Sequence, residues 1–488
     1  MSLGRRDFVR LAGFIAGGAA VGSACAPLTE RLAGYQAGTL DWPAVETLDF
    51  RRLARLTFGP TAYELHRVNE IGMGGWIEEQ LSPEGLDDPG MKLRLRGFDS
   101  LRMPADALEK FEPSEVADAL RAATILRQVY SRRQLNERWV EFWTDHFNIS
   151  IDKGDCWLLK PTDDRQVIRA HAFDRFEVLL SASAHSPAML VYLDNQANRS
   201  GAPNENYARE VMELHTLGVR SGYSQEDVME LARCLTGWTV KDHFWKGQFT
   251  FDPDRHDPGT KRVLGKRIEP AGELEAQSIL KLLSNHAATA DHLASKLVGR
   301  FLCDRPERDA PDLVGRVSKT FQRTGGDLRQ VARTLFLDGI ARRKEPLPPK
   351  IKRPVDLVTS ALRGLSAHTD GGRPLQDHLT AMGQPLFNWP TPDGPPDNAP
   401  PWSGNLMPRW QFAMALGLAE IGGTHLDLAA GDRPRVQLVE LTERLLGAPP
   451  SPELQGALSA AIDEAGSDSA LASVMAAGLI ASPQFQWR

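Results

Sequence analysis

The stretch Glu137-Arg138-Trp139-Val140-Glu141-Phe142-Trp143-Thr144-Asp145-His146-Phe147-Asn148 reads as one amphipathic helix. At 3.6 residues per turn, Leu135, Trp139, Phe142 and His146 share one face, and Glu137, Glu141 and Asp145 share the opposite one. That spacing predicts an aromatic core stripe with a solvated acidic stripe behind it. His146 is then either a satisfied core histidine or, at the helix end beside Asp145 and Asn148, a proton shuttle or metal ligand.

The same period continues outward in both directions. Residues 104–147, 204–219, 225–236, 273–285, 289–303, 312–321, 327–338 and 352–366 read as amphipathic helices, as do 405–421, 433–446, 452–465 and 469–481. Gly, Pro and Asp clusters separate them, where helices should stop. The expected fold is therefore all-α: a large multi-helix domain, toroidal or bundled, with long loops. Strand signals are sparse. A small hairpin is expected from 248–252 and 261–268, turning at Pro258-Gly259. Three segments read as long loops: 148–164, 239–271, and 383–408 with its eight prolines, Trp389 and Trp402. No boundary divides residues 27–488, although a C-terminal helical subdomain is expected from about residue 376.

The first 26 residues form a separate object. Arg5-Arg6-Asp7-Phe8-Val9-Arg10, followed by a Gly/Ala-rich apolar run to about Ala24, fits a twin-arginine export signal with Gly4 in place of the usual Ser or Thr. The run is too short for an ordinary membrane span. Ala24-Cys25-Ala26 fits cleavage after Ala26, whereas Gly22-Ser23-Ala24-Cys25 resembles a site for lipidation at Cys25, with the aliphatic residue displaced to Val21. The expected location is periplasmic or secreted, with a lipid anchor as the alternative. Net charge is -6 over 488 residues and the pI is about 6.1, which gives no global reason to bind nucleic acid or anionic lipid. Cys156, Cys234 and Cys303 are odd in number and lack CxxC spacing, so buried or free thiols are expected rather than disulfides or a Cys-rich metal site.

Three further clusters bear chemistry. The densest is Tyr192-Leu193-Asp194-Asn195-Gln196, followed after a short loop by Asn204-Glu205-Asn206-Tyr207-Ala208-Arg209-Glu210 and on to Glu213 and His215. On a helix, Asn206, Glu210 and Glu213 project to one side, while His215 falls with Ala208 and Met212 on an apolar face. A surface salt-bridge reading is available, since an Arg209–Glu213 pair contributes only about 0.3–0.5 kcal/mol. Yet amides and carboxylates opposed across a loop suit a hydroxyl-rich ligand or a metal. The second cluster is His256-Asp257-Pro258-Gly259-Thr260-Lys261: an acid, base or ligand turn, or a plain solvated turn. The third is the Trp389/Trp402/Trp410 group, whose rings can stack on a sugar or anchor the loop to the core. No G-x-S-x-G, HExxH, Walker A or Rossmann glycine pattern occurs.

Several of these stretches resemble the signatures of one bacterial family. They are Arg55 to Thr61, Gly75 to Leu81, Trp143 to Phe147, His185 to Met189, Asn204 to Val219, Leu231 to Thr239, the His256-Asp257-x-Gly259-x-Lys261 turn, Thr324 to Leu328 and Ser482 to Gln486. Together they resemble the family catalogued as domain of unknown function 1800, over about residues 50–488. Thr144-Asp145 stands where a His-Asn pair is common before the His-Phe. The resemblance implies a large, exported, helical bacterial protein, often found beside sulfatase-like partners, and implies no established activity.

Three classes of function are then open. The first is an exported hydrolase, glycosidase-like, acting on a polysaccharide or other hydroxyl-rich polymer. Its catalytic candidates are Asp194, Glu205, Glu210, Glu213, His256 and Asp257, and its substrate-binding candidates Asn195, Asn204, Asn206, Arg209, Trp238, Lys261 and Trp402. The second is a metalloprotein in which His and carboxylate side chains from the 146, 194, 205–215 and 256 regions converge on one divalent ion, with His146 and His215 as its named ligands. The third is a non-catalytic envelope binding or scaffold protein. An enzyme is expected to bring the Asp194/Glu205 region and the His256 turn to one deep pocket; a scaffold disperses them.

Overall fold

The computed structural model describes residues 47–242, 246–428, 434–465 and 471–488. The export signal at residues 1–26 and Cys25 lie outside the described residues. The chain is mainly helical, and its described strands form three two-stranded sheets. No helix among the described residues is long and apolar enough to cross a membrane.

The Gln134–His146 helix sits at the centre. Leu135, Trp139, Phe142 and His146 are buried, as the periodicity predicts. Trp139 stacks on Phe142 and Phe173 and meets Phe336 edge-on, with centroid separations of 5.7–6.0 Å. The opposite face is not solvated. Glu137 and Glu141 are buried, and Arg138 between them is fully so. The reason is position, because the helix lies between two hydrophobic clusters. One gathers residues from Phe50 to Leu347; the other gathers Met91, Ile125 to Tyr130, and Val355 to Phe485. The second cluster takes in the chain from Val355 onward. The Pro113–Tyr130 helix gives Val116 to the first cluster and Ile125 to the second.

Between the clusters lies an ionic layer. Arg138 binds Glu141 at 3.1 Å and Asp356 at 2.5 Å. Arg300 and Arg353 reach Glu141 at 2.5 and 2.6 Å. Arg353 also binds Asp145 at 2.8 Å, Arg300 binds Asp397 at 2.7 Å, and Arg488 binds Asp356 at 2.9 Å. The carboxylates Glu141, Asp145, Asp356 and Asp397 equal the guanidiniums of Arg138, Arg300, Arg353 and Arg488 in number, so each has a partner of opposite sign in the layer. Burial alone would raise the Glu141 carboxyl, but Arg300, Arg353 and Arg138 outweigh it and hold Glu141 below the ordinary carboxylate range.

Other expectations need correction. The 104–147 stretch is three helices, Ala105–Leu108, Pro113–Tyr130 and Gln134–His146, because Pro113 starts one and Ser131 leaves helical backbone after it. The 148–164 loop contains the Cys156–Asp163 helix despite Pro161. Burial of Leu158 and Leu159, with a buried Lys160–Asp163 pair at 2.6 Å, overrides the breaker. The expected hairpin is instead two. Trp238–Val240 pairs with Phe249–Phe251, and Lys261–Val263 pairs with Lys266–Ile268 through a Leu264-Gly265 turn in left-handed backbone. A third pair, His368–Thr369 with Thr424–His425, carried no strand signal. The three cysteines are free and buried.

Candidate functional site

The 206–215 segment is an α-helical turn, Asn206–Glu210, running into a π-helical turn, Val211–His215. Tyr207, Ala208, Val211, Met212 and His215 are buried, so Asn206, Glu210 and Glu213 are left toward the surface. Insertions of this kind recur at functional sites because they redirect side chains.

Asn198 organises the approach. Its Nδ2 donates to Asn195 Oδ1 and the Ala232 carbonyl, and its Oδ1 accepts from the Asn204 amide at 2.8 Å. Asn204 Oδ1 in turn accepts from the Asn206 amide at 2.9 Å. Asn206 Nδ2 donates to Asp194 Oδ2 at 3.4 Å, and Lys153 donates to the same oxygen at 2.6 Å. Glu205 accepts from Arg209 at 3.0 Å and from Gln225 at 2.5 Å. Asn204, Glu205, Asn206 and Arg209 line an open polar depression with Arg199 and Arg255. Asp194 and Glu205 are therefore already engaged. Asn195 is not at the surface: it is fully buried, and its Nδ2 donates to the Leu235 and Trp238 carbonyls.

The proline-rich loop closes over the next turn of the helix. Asn148 Nδ2 donates to the Trp389 and Thr391 carbonyls at 3.0 and 2.8 Å, and Tyr192 Oη donates to the Pro390 carbonyl at 3.0 Å. Asp397 ties the loop to the ionic layer through Arg300. Gly394, at φ +75°, lies so close to the Asp145 carbonyl that a Cβ there would come within 2.2 Å of its oxygen, so only glycine fits. Asp393 of this loop is among the charges that act on Glu210. The Glu210 carboxyl is half-buried, and no hydrogen bond or ion pair engages it among the described residues. Burial, then Glu213, then Asp393 push it up, against the pull of Arg209. Burial and a Glu213 hydrogen bond push Tyr223 up to about 12, and burial pushes Tyr192 to about 12. Beneath the loop a slot of about 40 Å³, lined by Glu137, Glu141, Asp145 and Trp389, is too small for a sugar ring.

The remaining expected site residues fall elsewhere. His256 faces the interior: its Nδ1 meets the Thr236 carbonyl at 2.8 Å and its Nε2 meets Glu275 at 3.1 Å. Lys261 is buried and donates to Glu275 at 2.5 Å. Asp257 is held by Arg233 at 2.8 and 3.0 Å and pushed down to about 2, chiefly by those bonds. His256 and Lys261 thus brace the turn from within, while Pro258 and Thr260 stay exposed. Only Arg255 of this segment reaches the depression. Trp238 is fully buried beside His185 and Phe249. Trp402 is buried and donates to the Pro396 carbonyl at 2.9 Å, so it anchors the loop while Trp389 stays partly exposed.

His146 and His215 do come together, with ring centroids 5.9 Å apart and His146 Nε2 at 3.2 Å from the His215 carbonyl oxygen. His146 Nδ1 and both ring nitrogens of His215 are buried without a hydrogen-bond partner among the described residues. The largest charge acting on both rings is that of Lys296, a cation. Among the described residues no group of three or more His, Cys, Asp or Glu is arranged to hold a metal ion. This pair does not fit a divalent site.

Burial, then Lys296 and His292, push His215 down to about 3. The folded chain therefore keeps a neutral ring that the unfolded chain protonates below about pH 6.5. Stability from this residue is complete above that pH and is lost as pH falls, by about 2 kcal/mol at pH 5. Urea titrations at pH 7 and pH 5 should show a smaller drop for His215→Phe than for the wild type. An equal drop in both would refute the assignment.

Sequence reasoning missed Asp393, Tyr192, Lys296 and Glu275. Tyr192 and Asp393 stood inside stretches already singled out, but nothing in their spacing joined them.

No curated protein and no solved structure matches the chain. Residues 51–487 match the family model described as protein of unknown function (DUF1800), and the chain belongs to that family.

Proposed function

We propose that this chain is an exported bacterial protein that acts on a polysaccharide or another hydroxyl-rich polymer by carboxyl acid–base chemistry, with Glu210 as the proton carrier. The observation that carries this is the Glu210 carboxyl: half-buried, unpaired among the described residues and raised by burial, Glu213 and Asp393. A carboxyl group raised by its surroundings keeps its proton to higher pH than a free one and can protonate a departing glycosidic oxygen, with Asp393 of the proline-rich loop as the second carboxylate. Asn204, Asn206 and Arg209 offer amide and guanidinium groups to substrate hydroxyls in the adjoining depression.

The test is a panel of neutral and acidic polysaccharides incubated with the purified mature protein, with new reducing ends as the readout. Release from at least one polymer supports hydrolysis. Binding without release moves the function to the second reading, a non-catalytic envelope binding protein, which the openness of the depression favours. Neither binding nor release from any polymer sinks both.

Export rests on Arg5-Arg6 and the apolar run behind them. Changing both arginines to lysine is expected to leave the protein in the cytoplasm, as cell fractionation would show. Normal export of the double variant would end that part of the proposal.

A further inference from the structure

Another cavity, of about 390 Å³, shares no residue with the polar depression or with the slot beneath the proline-rich loop, and Glu210 does not line it. Its base is a short antiparallel pairing of 350–352 with 486–488. The Lys350 amide donates to the Arg488 carbonyl at 3.0 Å and the Lys352 amide to the Gln486 carbonyl at 2.8 Å. Its walls are apolar: Phe50 from the Thr47–Leu56 helix, Phe58, Leu347, Trp487, and Leu445 and Leu446 from the Pro434–Leu446 helix. The volume lies within the range of small-molecule sites, and the mixture of apolar walls with a few polar groups is typical of them.

The polar groups at the base are unbalanced. Asp356 is already engaged by Arg138, Arg488 and the Arg353 amide. Lys352 is only 5% exposed, and its ammonium has no ion-pair or hydrogen-bond acceptor among the described residues. It lies over the face of Phe485, 3.3 Å from the ring centroid, and Asp356 is the one carboxylate whose charge acts on it. Arg488 Nε is also buried without an acceptor. Arg51 and Arg444 line the cavity as well, so its lining carries Arg51, Lys352, Arg444 and Arg488 against Asp356 alone. A buried cation without a counter-ion is costly, and the missing partner here is an anion.

We infer that this cavity binds an apolar carboxylate, its hydrocarbon body between Phe50, Phe58 and Leu445 and its carboxylate on Lys352 and Arg488. Burial, with Arg488 and Arg409 close by and only Asp356 pulling the other way, pushes the Lys352 amine well below its ordinary value. A bound carboxylate supplies the charge that reverses this. The site is independent of Glu210, so its test does not depend on the function proposed above.

The test is calorimetric titration of the full mature chain with octanoate and with octanol. Octanoate should bind at one site, and octanol about tenfold or more weakly, since it keeps the hydrocarbon but lacks the charge-assisted bonds. Lys352→Met should abolish that preference, and Leu445→Trp, which fills the cavity, should abolish octanoate binding. No octanoate binding, or equal binding of octanol, overturns the inference, as does full octanoate affinity in a folded Lys352→Met. Should Lys352→Met fail to fold, the octanoate–octanol comparison on the wild type and the Leu445→Trp variant decide the matter.

Discussion

Glu141→Gln is expected to destabilise the protein by about 3–5 kcal/mol, measured by urea unfolding at pH 7. Gln keeps the size of the side chain, so the effect isolates charge. Glu141 is the carboxylate shared by Arg138, Arg300 and Arg353, at 3.1, 2.5 and 2.6 Å. Without it, buried guanidiniums remain in the dry layer with fewer anions than cations. The contrast is Glu70→Gln, which breaks a pair with Arg67 at 2.9 Å where Glu70 is 63% exposed. Solvent screens that pair, and a change within about 0.5 kcal/mol is expected. A Glu141→Gln effect as small as that of Glu70→Gln would show that the layer is not held by charge. The sign with pH is fixed by direction. Glu141 is depressed in the fold, so its contribution is complete above the unfolded value of about 4.3 and is lost as pH falls. The wild type should therefore lose stability through that acid range more steeply than Glu141→Gln.

On the polymer identified by the panel, Glu210→Gln is expected to lower turnover about 10²–10⁴-fold while leaving binding unchanged. The side chain lies beside the depression without holding any part of the fold, since nothing among the described residues bonds it. An acid must be protonated to act, so wild-type turnover should fall as pH rises past the raised value of Glu210. Glu213 is the largest charged cause of that rise. Glu213→Gln should therefore move the high-pH limb toward lower pH. Initial rates across pH for the three proteins check both statements. Unchanged turnover in Glu210→Gln would remove this residue from the chemistry, and an unmoved limb in Glu213→Gln would remove its electrostatic cause.

The sequence by itself determined the fold class, the places of most helices and the polar face at Asn206, Glu210 and Glu213. Each follows from local spacing at 3.6 residues per turn, which no distant contact needs to supply. It also showed that His215 falls with Ala208 and Met212, and the three are buried together. What it could not show was which polar residues meet water. Glu141 and Asp145 read as a solvated stripe because periodicity reports only that a face differs from its opposite. Their arginine partners come from far along the chain, Arg300 from the Ala287–Phe301 helix and Arg353 from the residue that precedes the Pro354–Gly364 helix. The His256 turn could be read as an acid, base or ligand or as a plain solvated turn, and spacing could not choose, since its partner Glu275 lies in a separate helix.

Tertiary structure alone decided that a charge of the proline-rich loop acts on Glu210. Asp393 sits among prolines with no period to read, and its position is set by Asn148, Tyr192, Arg300 and the close approach that Gly394 allows. The lysine-based cavity is likewise a product of distant segments, residues 50–60, 347–360, 444–448 and 484–488. Local spacing carries helix and strand, because those depend on neighbours within a turn. Charge partners and cavities depend on which distant faces the packed core brings together, and that is decided only when the chain folds.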